Sequence, residues 1–243
     1  METVRRLALW NVDHTLVDVG RVTREAYAEA FQRVTGRPLV RLAPTAGRTE
    51  SEIIFDTLAF NDIATEDHHL PDFTKALAEA FAARRHSVRE HGRVLPGAQE
   101  ALAAVGRLPG IVQSVVTGSI KPNAVIKLTE LGLGKHLDLD IGGYGSEVYS
   151  RAALIELARG QATRKYVEKR LGEVVVEPST VLIADSDRDV RAAKIVGVPI
   201  VAVATGTATA AELRTAGADV VLPALDDTVA VVRAVDDLTG EAL

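Results

Sequence analysis

The sequence predicts an α/β protein, a doubly wound parallel sheet in a Rossmann-like core with a helical domain inserted into it. Short apolar runs without polar alternation recur along the chain, and an amphipathic stretch of helical length follows most of them. Residues 18–92 interrupt this alternation because they show helical patterns only. Hydrophobic residues make up 47% of the 243 residues, which is enough to bury a sizeable core.

Six apolar runs have the length and composition of buried strands. They cover residues 7–10, 111–116, 137–141, 181–184, 200–204 and 220–222. Helical patterns follow at 97–106, 121–132, 150–171, 187–196, 209–216 and 225–236. Because strands of an all-parallel sheet are covered by helices on both faces, this alternation favours a doubly wound sheet.

The helical stretch near the amino terminus is predicted to be an insertion after the first strand. Its helices are expected at 21–35, 48–60 and 71–90, and the dipeptide Pro96-Gly97 marks the return to the core. We therefore assign residues 1–17 and 93–243 to the core domain and residues 18–92 to the helical domain.

Composition excludes several classes of protein. The net charge of −5 argues against a general nucleic-acid binder, and the lack of cysteine excludes disulfides, thiolate metal sites and cysteine catalysis. The apolar run at 7–10 is too short for a signal peptide, and no apolar stretch is long enough to cross a membrane. We expect a cytoplasmic protein, monomeric or homodimeric, with no nucleic-acid or membrane partner.

Polar side chains and one glycine, whose backbone amide is exposed to a ligand in such sites, follow four of the predicted strands. They are Asn11, Asp13, His14 and Thr15 after the first, Thr117, Gly118 and Ser119 after the second, Arg151 beyond the third, and Asp185, Asp187 and Asp189 after the fourth. Ligands of open α/β sheets bind at the carboxyl ends of the strands, so we expect these groups to converge. Acidic groups from two strand ends favour Mg²⁺, and hydroxyls, glycine amides and an arginine favour a phosphate group. Taken singly, each could instead cap a helix, and we assign that role to Asp187.

These segments resemble the motifs of the haloacid dehalogenase (HAD) superfamily, the aspartate-nucleophile phosphohydrolases. Residues 9–16, LWNVDHTL, resemble its first motif, Asp-x-Asp-x-Thr-Leu after an apolar strand. Residues 115–118, VVTG, resemble the second motif, and Arg151 lies where the third motif places a basic residue. Residues 183–190, IADSDRDV, resemble the fourth motif. The helical stretch 18–92 resembles the helical cap of one branch of the family, so the resemblance covers essentially the whole chain.

The resemblance implies a Mg²⁺-dependent phosphatase that acts on a small phosphorylated metabolite. Position 11 would be the nucleophile, Asp13 the general acid and base, and Thr117 a ligand of the phosphoryl oxygens. Arg151 would neutralise the phosphoryl charge, with Lys121 as the rival cation. Mg²⁺ would be held by position 11, by the carbonyl of Asp13 and by Asp185. Asp189 would be a further or outer ligand.

Six residues are assigned to the substrate on less specific signals. Arg48, in a loop of the helical domain, is placed to meet an anionic group of the substrate, and its alternative is an exposed arginine at a helix start. His14 either contacts the substrate or packs within its loop. Thr15, Gly118 and Ser119 complete the predicted substrate-binding group, and Lys121 belongs to it as the helix-start cation.

The chain departs from the family pattern at Asn11, where the family has its nucleophilic aspartate. A carboxamide nitrogen is not nucleophilic, so we expect little or no phosphatase activity from this sequence. We interpret Asn11 as an isolated Asp-to-Asn replacement, engineered or otherwise, that traps substrate, because Asp13 and the other motif residues are intact. The alternatives are a naturally inactive phosphometabolite-binding or interaction protein, and a mutase or another chemistry of the family.

Overall fold

A six-stranded parallel sheet forms the centre of the molecule. The computed structural model describes residues 5–145, 150–166 and 177–240. Within these residues the strand order is β5-β4-β1-β6-β7-β8, and all neighbours are parallel. The strands are β1 (Arg6–Trp10), β4 (Ile111–Thr117), β5 (Gly143–Tyr144), β6 (Ser179–Ala184), β7 (Ile200–Val203) and β8 (Val220–Leu222). A separate two-stranded ribbon pairs β2 (Val17–Asp18) with β3 (Arg93–Val94).

Helices cover both faces of this sheet, which confirms the doubly wound α/β class. They are α5 (Ala98–Val105), α6 (Lys121–Glu130), α7 (Arg151–Tyr166), α8 (Asp187–Ile195), α9 (Ala210–Ala216) and α10 (Thr228–Thr239). Alternate residues of β1 face opposite ways: Ala8 and Trp10 join a cluster with α5, α6 and α10, whereas Leu7 and Leu9 join a cluster with α7, α8 and α9. Burial on both faces explains why this strand has no polar alternation.

A helical segment lies between the ribbon strands, and we call residues 19–92 the helical insert. It contains α1 (Gly20–Thr35), α2 (Glu50–Phe60), α3 (His69–Ala83) and α4 (Arg85–His91). Its own hydrophobic cluster includes Tyr27, Phe31, Phe73 and Phe81, so its helices pack largely on one another. Both connections of the insert to the core run through the β2–β3 ribbon. Asp18 of β2 therefore lies in a strand, although residues 18–92 were expected to contain none.

Two predicted elements differ from the structure. Residues 137–141 are not a strand; the short strand β5 (Gly143–Tyr144) begins two residues after them. The carboxylate of Asp138 accepts a hydrogen bond from the amide of Asp140 at 3.1 Å, a local turn that competes with strand pairing. The alternating apolar side chains Leu137 and Leu139 still pack against the core, which is why the pattern resembled a strand.

The predicted helix 71–90 is two helices. The chain breaks at Arg84, whose backbone leaves the helical region at φ −101° and ψ 15° and whose guanidinium donates to the carbonyl of Ala80 at 2.9 Å. The predicted helix 150–171 corresponds to α7, and residues 167–171 lie outside the described residues. Gly97 opens α5 as expected from the Pro-Gly turn: its φ is +75°, and a Cβ there would lie 2.2 Å from the carbonyl of Leu225.

No helix among the described residues is long and apolar enough to cross a membrane.

Candidate active site

The carboxyl ends of three adjacent strands form one wall of a cavity of about 790 Å³. Asn11 follows β1, Thr117 ends β4 and Asp185 follows β6, and all three side chains are buried. Because β1 lies between β4 and β6, these ends must be neighbours. The opposite wall comes from the helical insert, including Arg48 and Glu50. The predicted strand-end residues therefore meet at one edge of the sheet.

Asn11 is hydrogen-bonded on both sides of its amide group. Its Nδ2 donates to the carbonyl of Asp13 at 2.9 Å and to Asp185 Oδ1 at 2.7 Å, and it lies 3.4 Å from Thr15 Oγ1. Its Oδ1 accepts from Arg151 at 2.8 Å. This orientation is determined by the neighbours, because the opposite one would face the amide oxygen toward a carboxylate and a carbonyl.

Arg151 begins α7 and links Asn11 to Asp189. Its Nε donates to Asp189 Oδ1 at 2.5 Å, and both side chains are almost fully buried. Ser186 donates to the other oxygen of Asp189 at 2.6 Å, so both oxygens of that carboxylate have partners. This arrangement supports an indirect role for Asp189, which is to hold the guanidinium toward position 11.

Asp185 is a buried carboxyl in an acidic neighbourhood. Burial, and then the negative charge of Asp189, raise the pKa of Asp185 to about 6, and hydrogen bonds from Thr15 and Asn11 oppose this shift. The Thr15 hydroxyl donates to Asp185 Oδ1 at 2.8 Å, so Thr15 supports the carboxylate from the wall of the site. A cation beside Asp185 would relieve the same electrostatic cost.

The helix after β6 corrects one expectation. Ser186, not Asp187, is the N-cap of α8, because its hydroxyl accepts from the amide of Asp189 at 3.1 Å. Asp187 is the first residue inside the helix and pairs with Arg191 at 2.7 Å. The serine's extended backbone suits the cap position, whereas Asp187 gains from the helix dipole.

His14 lies in a left-handed turn beside the cavity. Its φ is +63°, an uncommon value for a residue other than glycine, and its carbonyl accepts from the Thr205 hydroxyl at 2.6 Å. His14 lines the cavity, so the turn places this residue beside the space where a ligand would lie. Backbone strain of this kind is common at functional sites.

The loop after β4 is in direct contact with the helical insert. The carbonyl of Gly118 accepts from the amide of Glu50 at 2.9 Å. A Cβ at Gly118 would lie 1.8 Å from the carbonyl oxygen of Arg48, so glycine is the residue that allows this approach. Ser119 turns back toward the strand, since its amide donates to Thr117 Oγ1 at 3.2 Å.

Arg48 and Lys121 differ in their relation to the cavity. Arg48 lines it, but its guanidinium is paired with Asp56 in α2. Lys121 begins α6 as predicted, yet its ammonium lies over the Tyr144 ring at 5.4 Å, and it is not among the described residues that line the cavity. Of the two predicted cations, Arg151 lines the cavity and contacts Asn11, whereas Lys121 is not among the lining residues.

Sequence reasoning missed two buried charged residues, Lys127 and Glu50. Lys127 lies on α6, and its ammonium contacts both oxygens of Asp13 at 2.7 and 2.8 Å. The sequence did contain a sign that Lys127 is buried, because it falls on the helix face that also carries the buried residues Ala124 and Leu128. A lysine on an apolar face needs a partner, although the sequence does not say which one.

Glu50 begins α2 of the insert and is almost fully buried where the insert meets the core. Burial raises the pKa of Glu50 to about 7, the charge of Asp13 adds to this, and the charge of Lys127 and the amide of Ile120 oppose it. The Tyr27 hydroxyl donates to one oxygen of Glu50, and the Ile120 amide donates to the other at 3.3 Å. Glu50 thus links the insert to the start of α6.

The site offers two oxygen donors for a divalent cation, and a third depends on the side chain at position 11. The Asp13 carbonyl and Asp185 Oδ1 both lie within 2.9 Å of Asn11 Nδ2, so they converge on a single position. No group of three His, Cys, Asp or Glu side chains in the described part of the chain could hold a metal ion, so such a set depends on backbone and on position 11. A carboxylate at position 11 would complete three oxygens, whereas the amide of Asn11 must turn to supply one.

Comparison with known proteins identifies the family. The model of the haloacid dehalogenase-like hydrolase family matches residues 8–194, and the chain belongs to this family. Comparison with curated proteins gives no match. This match confirms the family that the resemblance of the four sequence motifs had indicated.

Solved structures share the fold over nearly the whole chain. A hydrolase from Pseudomonas syringae is 19% identical, with a TM-score of 0.64 over 95% of this chain and 98% of its own. A predicted phosphatase from Clostridium acetobutylicum is 15% identical, with a TM-score of 0.66 over 95% and 100%. A predicted phosphoglycolate phosphatase from Haemophilus somnus 129pt is 15% identical, with a TM-score of 0.60 over 95% and 99%. At these identities the likeness establishes the fold.

Proposed function

We propose that this chain binds a small phosphate monoester in the cavity between the sheet edge and the helical insert, and that Asn11 prevents its hydrolysis. The observation that carries the proposal is the position of Asn11, with Arg151 on one side and Asp13 lining the same cavity. The insert would act as the cap over this site. We also propose that the protein acts in the cytoplasm and is a monomer or a homodimer.

The phosphoryl group would lie against the strand ends. The Arg151 guanidinium, 2.8 Å from Asn11 Oδ1, supplies the positive charge for a phosphoryl dianion. Thr117, Gly118 and Ser119 line the same wall and can donate hydroxyl and backbone hydrogens to its oxygens. The rest of the ester would extend toward the insert, where His14 and Arg48 also line the cavity.

With aspartate in place of Asn11, the site has the groups for two-step hydrolysis. A carboxylate oxygen at position 11 forms a bond to phosphorus, the bond from phosphorus to the ester oxygen breaks, and Asp13 gives its proton to that leaving oxygen. Water then attacks phosphorus while Asp13 takes its proton, and the bond from phosphorus to the carboxylate breaks. The products are the alcohol and inorganic phosphate.

Mg²⁺ is the proposed cofactor. Asp185, the Asp13 carbonyl and the position-11 side chain would hold it, and when bound it would offset the negative charge of the phosphoryl group. Asp189 would contribute through Arg151, since its two oxygens are already engaged.

Asn11 blocks the first step and leaves the binding groups in place. An amide nitrogen has no lone pair available for attack, and its oxygen is a poor nucleophile. Because the amide is close in shape to a carboxylate, the pocket around it stays intact. The ester would therefore be held without turnover.

The direct test is a phosphatase screen of the Asn11→Asp protein over sugar, nucleotide and small-acid phosphates with Mg²⁺. We expect the variant to hydrolyse a subset of these esters, and the present chain to release no phosphate from the same subset. Failure of the variant on every ester, with its fold intact by circular dichroism, would refute the phosphatase site.

One observation favours a second candidate, a non-catalytic phosphometabolite-binding protein. Both ends of the Asn11 amide are hydrogen-bonded, so asparagine fits this site without leaving a buried polar atom unpaired. Binding of a phosphate ester by the present chain, together with an inactive Asn11→Asp variant, would select this candidate.

A further inference from the structure

We propose that Lys127 is a positioning residue that holds the Asp13 carboxylate in place for proton transfer to and from the reacting ester. The inference rests on the proposed function, because it assigns a role to a residue that acts through Asp13. Lys127 and Asp13 come from different elements, α6 and the loop after β1, and the ammonium bridges the two.

The contacts fix the orientation of the carboxylate. Lys127 Nζ lies 2.8 Å from Asp13 Oδ1 and 2.7 Å from Oδ2, and the Ser119 hydroxyl donates to Oδ2 at 3.1 Å. Lys127 also donates to Ser119 Oγ at 2.8 Å, which closes a triangle of three side chains. An aspartate otherwise rotates about two side-chain bonds, so these contacts restrict where its proton can be delivered.

Lys127 and Asp13 differ in how deeply their side chains are buried. The Lys127 side chain is 3% exposed, whereas that of Asp13 is 33% exposed and faces the cavity. The Phe81 ring of the insert lies 5.5 Å from the ammonium and helps to exclude water from it. A buried ammonium is costly without a carboxylate, so Lys127 depends on Asp13 more than Asp13 depends on Lys127.

The geometry argues against a direct phosphate contact by Lys127. An ammonium has three hydrogens, and Asp13 Oδ1, Asp13 Oδ2 and Ser119 Oγ accept all of them. Arg151 remains the group that faces position 11. Lys127 would therefore change the rate of proton transfer and leave the affinity for the ester nearly unchanged.

The pair itself is tested first in the present chain, by thermal unfolding. Asp13→Ala leaves the Lys127 ammonium buried without its carboxylate, and we expect the midpoint to fall by about 3 °C or more. Adding Lys127→Met should recover at least half of that loss, because the stranded charge is then gone. If the fall in unfolding midpoint of the double variant equals the sum of the falls of the two single variants, the ion pair between Lys127 and Asp13 is refuted.

The catalytic role is tested in the Asn11→Asp protein with two esters of different leaving groups. Glycerol 2-phosphate releases an alkoxide-like oxygen that needs a proton, whereas 4-nitrophenyl phosphate releases a stable phenolate that needs little help. Lys127→Met should lower kcat/KM for the first by about 10- to 100-fold and for the second by less than about threefold. KM for both should change by less than about threefold.

Two further variants separate positioning from a general loss of structure. Ser119→Ala removes the second anchor of Asp13 and should produce the same pattern with a smaller loss. Lys135→Met makes the same chemical change at an exposed lysine and should leave both esters unaffected. Equal losses for the two esters in Lys127→Met would mean a structural role and would overturn the inference.

Failure of the inference and failure of the proposed function give different results. An active Asn11→Asp protein in which Lys127→Met changes neither ester refutes the role of Lys127 alone. An Asn11→Asp protein that is inactive on every ester refutes the phosphatase and the catalytic role together, and the unfolding data then show whether the ion pair exists.

Discussion

Asn11 has a hydrogen-bonding environment that asparagine satisfies and aspartate does not. Its amide hydrogens point at the Asp13 carbonyl and at Asp185, and its oxygen points at Arg151. A carboxylate in this position would lose both donors and would put a second negative charge beside Asp185. A divalent cation between the two carboxylates would reverse that cost.

At the residue scale, this predicts a stability that depends on the metal. In a chelating buffer, Asn11→Asp should lower the thermal midpoint by about 4 °C or more, because two buried carboxylates repel by several kcal/mol (about 4 at an intermediate dielectric). Mg²⁺ should raise the midpoint of the variant more than that of the present chain. Calorimetric titration should also show tighter Mg²⁺ binding by the variant, and equal affinities would contradict the proposed ligand set.

A second prediction at this scale concerns substrate trapping. With Mg²⁺ present, the chain should bind the ester found in the screen at least as tightly as Asn11→Asp binds a non-hydrolysable analogue, since one charge that repels the phosphoryl group is missing. Binding more than about tenfold weaker, roughly 1.4 kcal/mol, would mean that metal loss dominates.

Two matched variants identify the phosphate cation. Arg151→Ala in the present chain should abolish ester binding, because the dianion loses its fixed guanidinium. Lys121→Ala should have a much smaller effect, because that ammonium lies over the Tyr144 ring. The reverse outcome in equilibrium binding, with both proteins folded, would assign the role to Lys121.

At the element scale, we expect the proposed function to depend on how the helical insert meets the core. Two backbone groups, the Gly118 carbonyl and the Glu50 amide, join the loop after β4 to the start of α2. The side chain of Glu50 then reaches the first turn of α6 through the Ile120 amide. Both contacts lie beside the cavity, so we expect them to determine how closely the insert covers a bound ligand.

Gly118→Ala tests the first contact. The added methyl group would lie 1.8 Å from the Arg48 carbonyl, so the two loops must separate. We expect ester affinity to fall about tenfold or more, in line with the roughly 1–3 kcal/mol cost of overpacking. Gly160→Ala is the matched control, because its nearest atom is 3.9 Å away. Unchanged binding in Gly118→Ala would show that the loop contact does not shape the site.

Glu50→Gln tests the second contact through its pH dependence. The folded protein raises the pKa of this carboxyl from 4.5 to about 7. Between these values the folded state holds a proton that the unfolded chain releases, so this contribution to stability is full below about pH 4.5 and is lost as pH rises to about 7. This pKa shift corresponds to a change in the free energy of unfolding of roughly 3 kcal/mol at most.

Because glutamine cannot ionise, Glu50→Gln should gain thermal stability relative to the present chain as pH rises from about 5 to about 7.5. Glu100→Gln, at an exposed position, is the matched control. Unfolding midpoints measured across this range provide the test. A difference between Glu50→Gln and the present chain that stays constant with pH would contradict the assignment.

At the scale of the whole molecule, the arrangement of parallel strands explains why the sequence could predict where the polar strand-end residues lie. Ligands gather at the carboxyl ends of parallel strands, so buried runs followed by Asn11, Thr117 and Asp185 were enough to predict that these residues meet at one edge of the sheet. The helical insert was predictable because no strand-like run lies within it. The motif spacing indicated the family independently of any contact.

Other features depend on contacts that a linear pattern does not contain. The pairing of Lys127 with Asp13 joins residues far apart in the chain, and the high pKa of Glu50 comes from burial where the insert meets the core. The strand at 143–144 was misplaced because a turn at Asp138 outweighed an alternating apolar pattern. The break at Arg84 likewise has no proline or glycine to mark it.

The central claim is that this fold holds a complete phosphatase site apart from its nucleophile. The most direct measurement is steady-state turnover of the ester found in the screen by Asn11→Asp and by Asn11→Asp combined with Asp13→Asn, both with Mg²⁺. We predict that the single variant is active and that the second change lowers kcat by roughly two to four orders of magnitude, the usual contribution of a general acid and base. An inactive single variant, or a loss of less than about threefold on changing Asp13, would contradict the account.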